Sequence, residues 1–237
     1  METRDLLKWW KFPKNTIVNR NLPNSQIYLH MKNSNDKAYL QEYVQSIYLL
    51  ANFKTDNTRI PAFESETETY QEVQFIYLKI RENGNASKLY KLLASLIPYP
   101  LVVIIEQEKG FVIYTGRFEK MTTGYIRLLS VYDSPLLAED ELEETLNQLS
   151  ILVLPNQNLK VFYDSLRDTL VNLQIKKEYS TYSGIMDCTQ KDRIDEINGE
   201  ITKMKNAIKK EKQINRKVEY QVKLRKLKKE FNDILGV

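Results

Sequence analysis

Apolar residues follow two different spacings along this chain, and the alternation between them sets out the expected elements. Leu40, Tyr43, Val44, Ile47 and Leu50 recur every three or four positions behind Asn33, Ser34 and Asn35, a run suited to a helix cap. They predict a helix over about 36–51. Tyr70 to Ile80 is rich in aromatic and β-branched residues and reads as a strand. Asn83-Gly84-Asn85 breaks it and caps a helix striped by Leu89, Leu92, Leu93 and Leu96, which Pro98 ends. Leu101-Val102-Val103-Ile104-Ile105 is apolar throughout, as in a strand buried on both faces. The turn Gln107-Glu108-Lys109-Gly110 returns the chain as a hairpin through Phe111–Thr115, and Tyr125–Tyr132 supplies another strand.

Helices are expected over Glu139–Leu149, which opens on an acidic turn, and along the stripe Leu159, Phe162, Tyr163, Leu166, Leu170 and Leu173. The first thirty residues read as irregular, with a short extended piece at Thr16-Ile17-Val18 and turns at Phe12–Asn15 and Leu22–Ser25. A polar loop is expected at about 54–69. The order of helices and strands predicts an α/β fold with a mixed α+β sheet domain over 1–178. Tyr179–Gln190, rich in Ser, Thr and Tyr, reads as a linker (179–190), leaving 191–237 as a separate piece.

In that last piece Ile194, Ile197, Ile201, Met204 and Ile208 repeat at the spacing of a coiled-coil seam. Tyr220, Leu224, Leu227, Phe231 and Ile234 form a second seam out of phase with the first. Continuing the first register would place Glu211, Asn215 and Arg225 at core positions. A turn near Gln213–Arg216 lets the two stripes face each other, so a C-terminal antiparallel helical hairpin is favoured over one long helix with a slipped seam.

Charge sharpens the picture of this hairpin. The net charge of +4 is mild, but Lys203–Lys229 holds twelve cations against Glu211 and Glu219, a net +10, so the remainder carries −6. The cations are Lys203, Lys205, Lys209, Lys210, Lys212, Arg216, Lys217, Lys223, Arg225, Lys226, Lys228 and Lys229. An ordinary solvated helical face would intersperse Glu with Lys three or four residues apart. Here the acids are nearly missing, which points to an anionic partner: nucleic acid bound through its phosphates, or an acidic protein surface. Few Asn, Gln or Arg stand in an array that could read bases.

Catalytic chemistry finds little support. His30 is the only histidine and Cys188 the only cysteine, which excludes the usual zinc sites and any intrachain disulfide, and suggests a reducing compartment. Cys188 reads as incidental and His30 as structural. No Gly-rich phosphate loop is present. A metal-dependent nuclease could be built from Glu72, Lys79, Glu106, Glu108 and Lys109, yet Tyr77 and Gln107 stand where an acid two residues before each lysine is needed. Trp9-Trp10, beside Lys8 and Lys11, reads as tucking against the core rather than as an exposed anchor. No stretch has the length and apolarity of a signal peptide or membrane span, so a cytoplasmic protein without membrane contact is expected.

Phe12-Pro13-Lys14-Asn15-Thr16 with Asn19-Arg20 and Leu22-Pro23, then Leu96-Ile97-Pro98-Tyr99, and above all Lys212-Gln213-Ile214-Asn215-Arg216-Lys217-Val218-Glu219 resemble a prokaryotic domain of unknown function, number four-three-nine-one, over nearly the whole chain. The resemblance implies a bacterial or archaeal protein, often encoded near helicases and DNA methyltransferases in restriction or phage-defence clusters; it supplies no catalytic residues. The function expected is therefore a non-catalytic accessory or adaptor subunit of a DNA-processing or phage-defence assembly. The twelve cations would bind nucleic acid or an acidic partner, with a helicase or methyltransferase subunit as candidate partner and no cofactor. A metal-dependent nuclease and a homo-oligomeric structural protein are the alternatives.

Overall fold

The computed structural model describes residues 1–237 except 24, 26, 28–30, 181 and 237, so His30 and part of the turn at Leu22–Ser25 lie outside the described residues. The chain divides into two compact units, Met1–Leu170 and Val171–Val237.

The first unit is built on a six-stranded mixed sheet ordered β1-β2-β5-β6-β7-β8. The strands are β1 (Ile17–Asn21), β2 (Val44–Lys54), β5 (Glu72–Ile80), β6 (Leu101–Gln107), β7 (Gly110–Lys120) and β8 (Ile126–Asp133). All neighbours run antiparallel except β5 and β6, which pair in parallel from Gln74↔Leu101 to Lys79↔Glu106. A parallel pair needs a crossover, and the helix α4 (Ala86–Leu96) supplies it, capped by Asn85, whose side chain accepts from the Lys88 amide. A separate two-stranded hairpin, β3 (Phe63–Glu64) and β4 (Thr69–Tyr70), and the one-turn helix α3 (Thr55–Thr58) occupy the segment expected to be a loop.

Helices cover both faces of the sheet. Phe75 of β5 meets Trp10 at the end of α1 (Thr3–Trp10) and Phe162 of α6 (Leu159–Glu178), with ring centroids 5.0 and 6.5 Å away. Ile76, on the opposite side of the same strand, lines a cavity with Leu93 and Leu96 of α4. Burial on both sides explains the unbroken apolar run of β6, all of whose first five residues are buried. Tyr163 of α6 fastens this layer: its hydroxyl donates to the Leu101 carbonyl at 2.8 Å and accepts from the Gly116 amide at 3.0 Å. Gly116 also leaves room for Leu128 and Tyr90, since a Cβ there would fall 2.4 Å from Leu128 and 2.8 Å from the Tyr90 hydroxyl.

The expected helix over 36–51 is corrected. The helix α2 covers Ser34–Tyr43, and Val44–Lys54 is a strand between β1 and β5. Asn33 caps α2 as expected, its side chain accepting from the Asn35 amide. The strand imitates helical spacing because its pairing with β5 shifts register between Val44 and Ser46 and again between Leu49 and Ala51. Each irregularity adds a residue to one side of the ladder and turns a period of two into a step of three. Val44, Ile47 and Leu50 are consequently all buried while three residues apart. The irregular amino terminus is also corrected in part: α1 places Leu6 and Trp10, four apart, on one buried face.

The second unit holds the end of α6 and two long helices, α7 (Cys188–Lys210) and α8 (Ile214–Leu235), which pack against each other. They run antiparallel: Arg193 near the start of α7 meets Glu230 near the end of α8, with Nε···Oε1 at 2.9 Å. The turn is Glu211–Gln213, a little before the expected Gln213–Arg216. It needs neither Gly nor Pro because the Glu211 carboxylate accepts from the Lys212 and Gln213 amides, both at 2.9 Å. Asp187 opens α7 with a reciprocal cap: its side chain accepts from the Gln190 amide, and the Gln190 side chain accepts from the Asp187 amide.

Candidate functional site

The second unit sorts its charges along the helix pair. Near the start of α7 they are matched: Lys191 pairs with Asp195, and Arg193 bridges Glu196 and Glu230, each at 2.5 Å for the arginine. From Lys203 onward the matching stops. Lys203, Lys205, Lys209, Lys210, Lys212, Arg216, Lys217, Lys223, Arg225, Lys226, Lys228 and Lys229 are all solvent-exposed. Among the described residues none of the twelve makes an ion pair.

Positive charge is densest at the tip. Lys209 and Lys210 end α7, Lys212 lies in the turn, and Arg216 and Lys217 stand in the first turns of α8. Cations at the end of α7 suit its dipole, but those opening α8 add to the partial positive charge there, and no acid occupies its first turn. The one carboxylate in the turn, Glu211, is half-buried and occupied by backbone amides. Farther from the tip, Lys203, Lys223 and Lys226 line a groove of about 430 Å³ together with Glu200, Met204 and Leu227. Such an array offers mobile, hydrated cations in a continuous field, suited to a run of phosphates or carboxylates rather than to one small anion.

The residues weighed for a nuclease divide between two places. Glu72 opens β5 and pairs with Lys54 at 2.8 Å, accepting also from Gln74 at 2.9 Å. Lys79 and Glu106 sit about 23 Å farther along the sheet, at roughly 3.3 Å per residue of strand. There they are partners across the parallel ladder, joined at 2.6 Å. Glu106 also accepts from the Tyr77 hydroxyl and lies 3.5 Å from the amino-terminal ammonium. Glu108, in the turn after β6, lines an open cavity of about 700 Å³ with Lys79 and Glu106. Among the described residues no group of three or more His, Cys, Asp or Glu is placed to hold a metal ion. Cys188 is buried at the first turn of α7.

The Lys79–Glu106 pair has a pH signature. Burial opposes ionisation of Glu106, but the hydrogen bonds from Lys79 and Tyr77 outweigh it and hold the carboxyl below its ordinary value. A depressed folded-state value means stability that is complete above the unfolded pKa of about 4.3 and lost as pH falls through the folded value. Glu106→Gln is therefore expected to lower the thermal midpoint at neutral pH and to flatten its fall below about pH 5. Parallel midpoint curves for the two proteins from neutral to acid pH would contradict this.

Among the described residues no helix is long and apolar enough to cross a membrane. The fold and the charge pattern define a mixed α+β protein bearing a packed, basic helix pair. Within that class, the chain belongs to the family described as a domain of unknown function, DUF4391, whose model matches residues 11–231. No curated protein and no solved structure matches it.

Proposed function

We propose that the α7–α8 hairpin binds nucleic acid through its phosphates, without reading sequence. On this proposal the protein is a non-catalytic accessory or adaptor subunit of a bacterial or archaeal DNA-processing or phage-defence assembly. The observation that carries the reading is the set of twelve exposed cations, none ion-paired among the described residues, on a hairpin whose other end pairs its charges. Holding like charges together in this way costs repulsion that a polyanion relieves. The α/β unit would then serve as the part that docks to other subunits, a helicase or methyltransferase among them. The seams of α7 and α8 are read in addition as a short antiparallel coiled coil that keeps the cations in place.

The test is binding of the purified protein to short double- and single-stranded DNA of several sequences across a salt series. Affinity should fall steeply with salt, with a slope of about −0.9 for each phosphate engaged on a duplex, and should barely change with sequence. Absence of binding at low salt would remove nucleic acid from the proposal and leave an acidic protein surface as the hairpin's partner.

A further inference from the structure

Phosphate contacts would leave one face of α8 uncovered. Ile214, Val218 and Val222 are 78%, 51% and 47% exposed, and they stand one helical turn apart. Tyr220, Leu224, Leu227 and Phe231, the other apolar stripe of α8, are at most half-exposed. At about 100° per residue the two stripes lie on opposite sides of the helix. So α8 has one apolar face for α7 and a second, of three aliphatic side chains, facing solvent. Arg225 and Lys229 continue the line of the outer stripe toward the end of the helix, and both are exposed.

We infer that this outer face of α8 docks an acidic amphipathic helix of a partner protein. The aliphatic residues would pack along Ile214, Val218 and Val222, and carboxylates of the partner helix would lie against Arg225 and Lys229. Charge complementarity selects this occupant. Phosphate gains nothing from β-branched hydrocarbon, and that hydrocarbon is costly to leave in water. A second copy of the same face would set Arg225 and Lys229 against other cations of the hairpin. A lipid surface favours deep insertion of bulky Leu, Phe or Trp, and this stripe is two Val and one Ile in single file. An aliphatic line ending in cations matches a helix that presents apolar residues at three- and four-residue spacing with Glu or Asp beyond them. The site shares Arg225 and Lys229 with the nucleic-acid reading and differs from it in the hydrocarbon of Ile214, Val218 and Val222, which only the docked helix would cover.

The experiment uses the full chain and a labelled synthetic helical peptide, with Leu at three- and four-residue spacing and Glu on its flanks. A second peptide carries Gln for every Glu, and anionic phospholipid vesicles serve as a further probe. The acidic peptide should bind the protein, and the double variant Val218→Ser, Val222→Ser should bind it about tenfold more weakly, consistent with the burial of two small aliphatic side chains. Its far-ultraviolet circular dichroism and its DNA salt slope should stay unchanged, since both positions are exposed and uncharged. Equal binding of the acidic peptide by wild type and variant would overturn the inference, as would equal binding of the Gln peptide. Binding to vesicles that only the variant loses, with no peptide binding, would overturn it in favour of a lipid surface. Failure of the wild-type protein to bind DNA at low salt, with the acidic peptide still bound and the serine variant still weakened, would remove the phosphate reading and leave this site standing.

Discussion

With Lys209, Lys210, Arg216, Lys217, Arg225 and Lys226 changed together to Gln, the protein is expected to bind a short DNA duplex ~500-fold more weakly at 0.1 M salt. The size follows from counterion release. If three of the six engage phosphates at once, the salt slope becomes shallower by about 2.7, which is that factor at a tenth molar. Six cannot all face one duplex, because the residues occupy different sides of the two helices. Thermal stability should stay where it is or rise slightly, since all six are exposed, none is ion-paired among the described residues and each stands near others of like charge. This separates the prediction from a trivial loss of fold. A variant that binds duplex as tightly as wild type at matched salt would reduce the hairpin to a structural arm.

The hairpin was legible because two independent sequence signals agree on it. The seams of Ile194–Ile208 and Tyr220–Ile234 are out of phase, so a single straight stripe cannot bury both, which favours a turn between them over a slipped seam. Charge then marks the solvent side of the same helices. What the spacing did not reveal was how the turn is made: Glu211 closes it through its own carboxylate, a role that depends on geometry rather than on a turn-forming residue type. The outer stripe Ile214, Val218 and Val222 was present in the sequence as well. Once the turn is fixed, Ile214, Val218 and Val222 stand one helical turn apart on a single exposed face of α8.

In the α/β unit the legible elements are those buried on two faces or sharply capped. The apolar run that became β6 and the Asn85-capped stripe of α4 left little room for another reading. The strand β2 was misread because register shifts in its ladder reproduce a helical step of three at Val44, Ile47 and Leu50. No Gly marks either irregularity in β2, so neither announces itself in the residues. The helix α1 was missed for a different reason. Only Leu6 and Trp10 of its eight residues are buried, and its amino-terminal cap makes no side-chain hydrogen bond. Likewise, Lys79 and Glu106 become partners only through the parallel register of β5 and β6, which separates them from Glu72 and which neither strand's own pattern encodes.

Trp10 carries the largest stability prediction, and it rests on that same missed helix. The indole is 1% exposed, its ring centroid lies 5.0 Å from those of both Phe12 and Phe75, and Nε1 donates to the Leu149 carbonyl at 3.1 Å. Leu149 ends α5 (Glu139–Gln148), so this one side chain ties α1 to the sheet and to a second helix at once. Trp10→Ala is expected to cost about 3–5 kcal/mol, the range for emptying a large aromatic site in a core. At roughly 2–4 °C per kcal/mol for a unit of this size, the thermal midpoint of the Met1–Leu170 unit should fall by about 6–20 °C. Trp10→Phe keeps the stacking and removes the N–H, leaving a buried carbonyl without its donor, so it should lose only about 1–3 kcal/mol. The order of the two variants is the informative part. If Trp10→Phe falls as far as Trp10→Ala, the hydrogen bond to Leu149 anchors α1. If both stay within about 2 °C of wild type, α1 is not held by the core contacts described for it.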